Sequence, residues 1–409
     1  MSRKLFALGM IMLLVLGLTT IGSLAQDTVT ISYYTYTAAP DHLEDLDAII
    51  AAFEMENPGI EIEVTTAAWG DYWTLLSADF AAGEQPDTFE INYENFVSYA
   101  ADDLLLDLSD YLSEAPYYPR ALEAFQYDGM QMALPEVFST VLLFYNADLF
   151  DEAGIDYPAA DWTWDEALQA GMDITALGDN IWGLHSSVHF WEFYKKAGQA
   201  GCEFFNEDMT ESTLDSESCV GAVELMISFM DDDVMPDAVE MAGISDTDLF
   251  LTGDLGMLVV GTWMFDAFID GADFTWDIQL EPGLENKGHH FFADGVAVDA
   301  DTDNPAAAAA WAQFLTASET AATVRVDSSW GLPALDEPSY FESYLELSPP
   351  ENREAVFAAL ESPINPPVIK RQGEMQDAIN ELLTAVVNGE MTAQEAMEEA
   401  KSRLDDLLE

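Results

Sequence analysis

FYNADLFDEAGIDYPAADWTWDEAL, residues 144–168, decides the fold, because one short span holds a strand end and two helix starts. The apolar run 141–145 is short, bounded by polar residues and rich in β-formers, so it reads as a buried strand. Residues 148–153 predict a short helix that Gly154 stops, since glycine takes the left-handed closing conformation without steric cost. After the turn at Tyr157 and Pro158, Thr163 and Glu166 stand three apart as a capping box. Each side chain satisfies a free amide where the next helix begins.

The same alternation continues in both directions. Residues 29–36 are alternating and β-branched, a strand. Asp41 and Glu44 then make a capping pair before Leu43, Leu46, Ile49, Ile50 and Phe53 recur at helical spacing. Beyond the turn at Asn57, Pro58 and Gly59 come a strand at 60–65 and a helix at 71–82, which Gly83 and Pro86 end. The middle of the chain is helix-rich, with helices at 219–230 and 245–252 and a buried strand at 258–261. A strand at 292–298 follows, then an alanine-rich helix with Pro305 at its first position, where the missing donor costs nothing. Two amphipathic helices, 374–388 and 392–408, flank Gly389 near the end. Strands alternating with helices predict an α/β fold, with mostly parallel sheets covered on both faces. In such open sheets ligands sit at the carboxyl ends of strands, here Tyr36, Trp69 and the loop 90–94.

A chain of 409 residues exceeds one ordinary core and suits two domains. Its charge is extreme: 77 acidic residues stand against 12 basic ones. Nucleic acid and anionic lipid are repelled by such a surface, which suits a salty or acidic exterior where screening or protonation relieves self-repulsion. Residues 1–25 read as an export signal, with Arg3 and Lys4, an apolar run and a small-residue cleavage site at Ser23, Leu24 and Ala25. The mature protein is therefore expected to be periplasmic or otherwise extracytoplasmic and, with no cysteine at the cleavage site, to carry no lipid anchor. The two cysteines, Cys202 and Cys219, then meet an oxidising compartment and are expected to form a disulfide, joining a strand-like segment 202–205 to a helix start.

In the decisive stretch, the run F-Y-N-x-D-L-F followed closely by W-T-W-D-E resembles the extracellular solute-binding proteins of ATP-driven (ABC) importers, in the sugar-binding branch related to the maltose-binding protein. That resemblance covers essentially the whole mature chain, and its strongest parts are 29–107 and 134–166. It implies a two-lobed periplasmic-binding-protein fold in which the chain crosses between lobes three times, near 136–139, 279–282 and 328–332. Lobe one would hold 27–136 and 283–328, and lobe two 137–282 and 329–409. By the same resemblance the protein is a monomer without a cofactor. It captures a mono- or oligosaccharide between closing lobes and delivers it to the transmembrane permease subunits, without catalysis.

Candidate contacts follow from the residue types a sugar needs, aromatic faces for its apolar side and planar polar groups for its hydroxyls. Trp69 and Asp71 lie between a strand and a helix, where Asp71 also reads as a helix cap. Tyr36 ends the first strand, and Asn92, Tyr93 and Glu94 occupy the loop after Pro86. Glu136 and Ser139 fall in the first crossing. Resemblance adds Trp263 after an apolar strand, His189 in SSVHFWEF, Gly295 beside the next strand, Trp330 at the third crossing and Arg371 near the end. Trp162 and Trp164 read instead as packing of their helix start. Residues 299–303, DADTD, superficially resemble a calcium loop, but Asn304 stands where glycine is required and Ala310 where glutamate belongs, so no metal is expected. Three other classes stay open: a binder of a cationic solute such as a polyamine, a binder of a polyol phosphate, and a glycoside-active enzyme using two of the many carboxylates.

Overall fold

The computed structural model describes residues 28–38, 42–112 and 114–408. The export signal and Asp41 of the first capping pair lie outside the described residues. Strands of the two larger sheets are β1 (Val29–Thr35), β2 (Ile60–Thr66), β3 (Thr88–Asn92), β4 (Ala133–Ser139), β5 (Val141–Asn146), β6 (Trp182–His185), β7 (Leu255–Gly261), β8 (Trp276–Gln279), β9 (Phe292–Val298) and β10 (Leu332–Pro333). They are ordered β10-β4-β9-β3-β1-β2 in a six-stranded sheet and β8-β5-β7-β6 in a four-stranded one, each the centre of one lobe.

Both sheets are mixed, where alternation alone predicts mostly parallel ones. β1 runs parallel to β2 and β3, but β9 is antiparallel to β3 and β4, and β10 is antiparallel to β4. In the second sheet only β6 and β7 run parallel. The reason is connectivity. β9 and β10 reach the first sheet after excursions elsewhere and begin at the edge where β1 to β3 end, so they must run backwards along them.

Helices cover the sheet faces: α1 (Leu43–Glu56), α2 (Trp69–Ala82), α3 (Tyr93–Ala101), α4 (Ala147–Ala153), α5 (Trp164–Thr175), α6 (Phe190–Gln199), α7 (Glu217–Asp231), α8 (Phe265–Gly271), α9 (Pro305–Ala317), α10 (Glu319–Asp327), α11 (Gln372–Val387) and α12 (Ala393–Leu408). On one side of the first sheet Ile31, Leu46, Phe53 and Trp311 pack together, and on the other Tyr34, Tyr72, Phe89 and Phe125. Around the second sheet, Leu143, Trp164, Ile174 and Phe229 form one cluster and Phe144, Phe265, Trp276 and Tyr344 another. A further core joins α6, α7, α11 and α12 around the Cys202–Cys219 disulfide. The segment 202–205 is no strand; its pairing is a single bridge between Phe205 and Ser212.

The stretch 144–168 is built as its side chains require. Asn146 accepts from the amides of Asp148 and Leu149 to start α4, and Gly154 closes that helix at φ 68°. At α5 the Thr163 amide donates to Glu166 Oε2 at 2.8 Å and the Glu166 amide to Thr163 Oγ1 at 3.3 Å. Trp164 is fully buried, its indole N–H donating to Gln199 Oε1 at 2.8 Å. Two other starts differ from expectation. α1 begins at Leu43 with no side-chain cap bond from His42, and α2 begins at Trp69, with Ala68 as N-cap. Asp71 therefore caps nothing. It lies exposed in the first turn of α2, where its charge still favours the helix dipole.

Candidate functional site

Strand direction assembles the site before any side chain is considered. β1, β2 and β3 end at one edge of the first sheet. Asp294 pairs with Asn92, so β9 starts there; Ser139 pairs with Phe292, so β4 ends there; Leu332 pairs with Phe138, so β10 starts there. The chain then passes through Thr140 directly into β5. Val141 pairs with Gly261, His185 with Leu258 and Gln279 with Leu143, so the ends of β7, β6 and β8 share the edge of the second sheet where β5 begins. The single residue Thr140 between β4 and β5 thus joins the two edges.

On the first edge Tyr36 is buried beneath Trp69, which is 43% exposed at the start of α2, with ring centroids 4.9 Å apart. The Tyr36 hydroxyl donates to Asp294 Oδ1 at 2.5 Å, and burial, with the Asp294 charge next, pushes its pKa well up. Asn92 ends β3 and caps α3, accepting from the Asn95 amide at 3.1 Å while donating to Glu94 Oε2 at 2.6 Å. Tyr93 is half-buried beside them. Glu94 is buried, which raises its pKa, and it accepts at 3.3 Å from the indole N–H of Trp191, on α6 of the other lobe. Trp330 donates to the Thr37 carbonyl at 3.1 Å and lies between the His42 ring, stacked at 5.2 Å, and the Arg325 guanidinium at 3.9 Å.

On the facing edge Trp263 follows β7 and is 53% exposed. Its indole lies over Gly261, where a Cβ would come within 2.0 Å of the ring, and it meets Phe292 at 6.0 Å. His189 starts α6 with its ring 5.4 Å from Trp191; burial lowers its pKa. Further contacts cross between the edges. Thr140 donates to the His290 carbonyl at 2.6 Å, His42 Nε2 lies 3.8 Å from Asp266, and Lys370 pairs with Asp102 at 2.8 Å.

Four expected residues occupy less direct positions. Glu136 is buried and paired with Arg325, its pKa pushed up to about 8 by burial against the pull of that guanidinium. A Cβ on Gly295 would lie 2.8 Å from the Leu134 carbonyl and 3.0 Å from the Phe125 ring, so packing inside the lobe already demands a glycine. Ser139 is half-buried at the end of β4. Arg371 is exposed at the start of α11, bonded to Glu374 at 2.7 Å and to the Asp406 carbonyl at 3.4 Å.

Sequence reasoning missed the polar groups behind the edges. Glu90 Oε2 accepts from Thr35, Tyr36 and Thr37, and Asp294 and Arg325 complete that cluster. In the second lobe Lys195 bonds Glu192 and Glu281, and Lys196 bonds Glu192 and Ser186, all buried. Burial pushes Glu192 up, but the two lysines hold it well below the usual range; burial raises Glu281 to about 7. A charged helix turn such as Glu192 to Lys196 normally reads as solvated, so nothing local announced that it is buried. Among the described residues no group of three or more His, Cys, Asp or Glu could hold a metal ion, and no helix is long and apolar enough to cross a membrane.

Residues 39–322 match the profile of a family described as bacterial extracellular solute-binding protein. An ABC substrate-binding protein from Listeria monocytogenes, solved in complex with cycloalternan, is 39% identical with a TM-score of 0.89, covering 93% of this chain and 99% of that one. A solute-binding protein of an ABC transporter from Thermotoga lettingae, bound with α-D-tagatose, shares the fold at 21% identity and a TM-score of 0.82, covering 93% and 100%. In sequence, the galactooligosaccharide-binding protein of Bacillus subtilis is 24% identical over 365 residues, 86% of this chain and 83% of that protein.

Proposed function

Because the chain belongs to the bacterial extracellular solute-binding protein family, we propose that it captures a carbohydrate in the cleft between its lobes and hands it to the permease of an ABC importer. It works outside the cytoplasm and catalyses nothing. One observation carries the reading: an exposed indole stands at the strand ends of each facing edge, Trp69 on one and Trp263 on the other, among carboxylates and an amide. The axial hydrogens of a pyranose pack on such indoles while its hydroxyls bond Asn92 and Glu94. Tyr36, Tyr93, His189 and Trp330 shape the pocket around that sandwich, with Asp71 at its rim.

Bending would occur where the chain passes between sheets: at Thr140 between β4 and β5, between the end of β8 at Gln279 and the start of β9 at Phe292, and after β10 at Pro333. The expected boundaries shift accordingly, since residues 137–139 and Leu332–Pro333 pair within the first sheet rather than joining the second lobe. A ligand touching both edges favours the closed arrangement by its differential affinity, and a permease can then recognise occupancy.

Titration calorimetry against cycloalternan, maltose, galacto-oligosaccharides and polyamines tests the proposal. At least one sugar is expected to bind and to quench tryptophan fluorescence. Binding of spermidine with no sugar binding would replace the carbohydrate by a cationic solute, and release of product from a bound oligosaccharide would make the protein an enzyme.

A further inference from the structure

Carboxylates outnumber cations behind the first edge of the cleft. Glu90 is fully buried, and its Oε2 accepts from the hydroxyls of Thr35 and Thr37 and the amides of Tyr36 and Thr37, at 2.6 to 3.2 Å. Burial raises the Glu90 pKa, and the four donors on that one oxygen pull back toward the ionised form. Glu136 is the extra residue of a bulge in β4, opposite Asp294 and Gly295, and a bulge re-aims its side chain, here onto Arg325. Asp294 is the third carboxyl, half-buried at the start of β9, and its recorded partner is the Tyr36 hydroxyl. The groups acting on it are Tyr36 at the end of β1, Glu90 on β3, Glu94 on α3 and Glu136 on β4, with the Arg325 guanidinium of α10 beyond Glu136. One guanidinium serves the whole set. Burial raises Glu90 and Glu136 as well, Glu136 to about 8, but Glu90 has four donors and Glu136 the guanidinium, whereas the bond to Asp294 comes from one neutral hydroxyl. Ionising all three would set like charges together in a medium that screens poorly.

We propose that Asp294 meets the ligand as a neutral carboxylic acid, with Oδ1 accepting from the Tyr36 hydroxyl and the proton on Oδ2 donated into the cleft. Resting on the carbohydrate reading, this deepens it by naming what is recognised. Ring and glycosidic oxygens of a sugar can only accept hydrogen bonds, and the indole N–H groups of Trp191 and Trp330 are both committed. An ionised aspartate there could bind hydroxyls alone. The neutral acid instead selects an acetal oxygen, a property of pyranosides and oligosaccharides rather than of open-chain polyols. Burial and the Glu90 charge push the Asp294 pKa well above the carboxylate range, in the direction this requires.

The test compares the full-length protein with Asp294→Asn and Asp294→Ala. Infrared difference spectra of ligand-free wild type minus Asp294→Asn at neutral pH should show the carbonyl stretch of a protonated carboxyl. With the sugar identified by calorimetry, Asp294→Ala should weaken binding by roughly tenfold or more, the scale of one lost hydrogen bond to a buried group. Asp294→Asn should bind more tightly than Asp294→Ala, because an amide also donates. Absence of the protonated band, or an Asn variant as weak as the Ala variant, would overturn the proposal. If no sugar binds the wild type, the carbohydrate reading fails on its own, and the infrared band still decides the protonation state.

Discussion

Removing the Cys202–Cys219 bridge should cost about 3 kcal/mol of stability. The bridged residues are separated by 17 positions, with Cα atoms 5.0 Å apart, and both are buried in the core that joins α6, α7, α11 and α12. Closing a loop of that length removes entropy from the unfolded chain, and the chain-entropy relation gives about 3 kcal/mol at 25 °C for it. The double variant Cys202→Ala/Cys219→Ala should therefore unfold at lower urea, followed through tryptophan fluorescence, and reduced wild type should behave in the same way. Sugar affinity is expected to hold, because the bridged loop follows the end of α6 while Trp191 sits at its start. Thiol titration of unfolded, unreduced wild type should find no free cysteine. A loss below about 1 kcal/mol, outside the usual range for native disulfides, would refute the argument from loop closure, and free thiols would refute the bridge itself.

Trp69→Ala and Trp263→Ala should each weaken sugar binding by on the order of tenfold or more in calorimetry, as truncation of an aromatic anchor does, with a smaller effect on thermal unfolding because both residues are about half exposed. Glu281 carries a pH signature: burial raises it from 4.5 to about 7, so as pH rises the unfolded state ionises first. Stability from this group is fully present below 4.5 and is lost by pH 7, up to about 3 kcal/mol. Urea titrations of wild type and Glu281→Gln between those limits should diverge in slope, and parallel slopes would count against the raised pKa. Thr163→Ala removes the capping box at α5 and should lower stability by about 1 kcal/mol.

What the sequence disclosed and what it hid divide along a physical line. Local signals were legible: the Thr163–Glu166 capping box, the Gly154 stop and the buried strand before them depend on neighbours within a few positions. So were the tips of strands: Tyr36 follows β1, Asn92 ends β3, Trp263 lies just beyond β7, and Trp69 opens the helix after β2. Asp71 failed as a cap because an extended Ala68 suffices to start α2, a choice set by the strand leading into it. Strand direction failed for β9 and β10, since antiparallel pairing follows from the path of chain between distant segments. Arg325, Asp294 and the partners that bury Glu90 were invisible for the same reason: the separation between Arg325 and Glu136 is 189 positions, and a lone charge in a chain this acidic reads as surface.

Closure itself is balanced by the contacts that span the cleft. Lys370 and Asp102 are both more than half exposed, and exposed pairs contribute about 0–1 kcal/mol. The His42 contact with Asp266 at 3.8 Å is longer than a good hydrogen bond and needs a protonated ring to act as an ion pair. The Trp191 bond to buried Glu94 and the Thr140 bond to the His290 carbonyl are better shielded, and Thr140 lies within the crossing itself. The exposed pairs among these contacts are small beside the several kcal/mol needed to drive a two-state equilibrium to one side. On the carbohydrate reading proposed above, a ligand stacked between Trp69 and Trp263 would favour the closed arrangement, coupling occupancy to shape through those two rings.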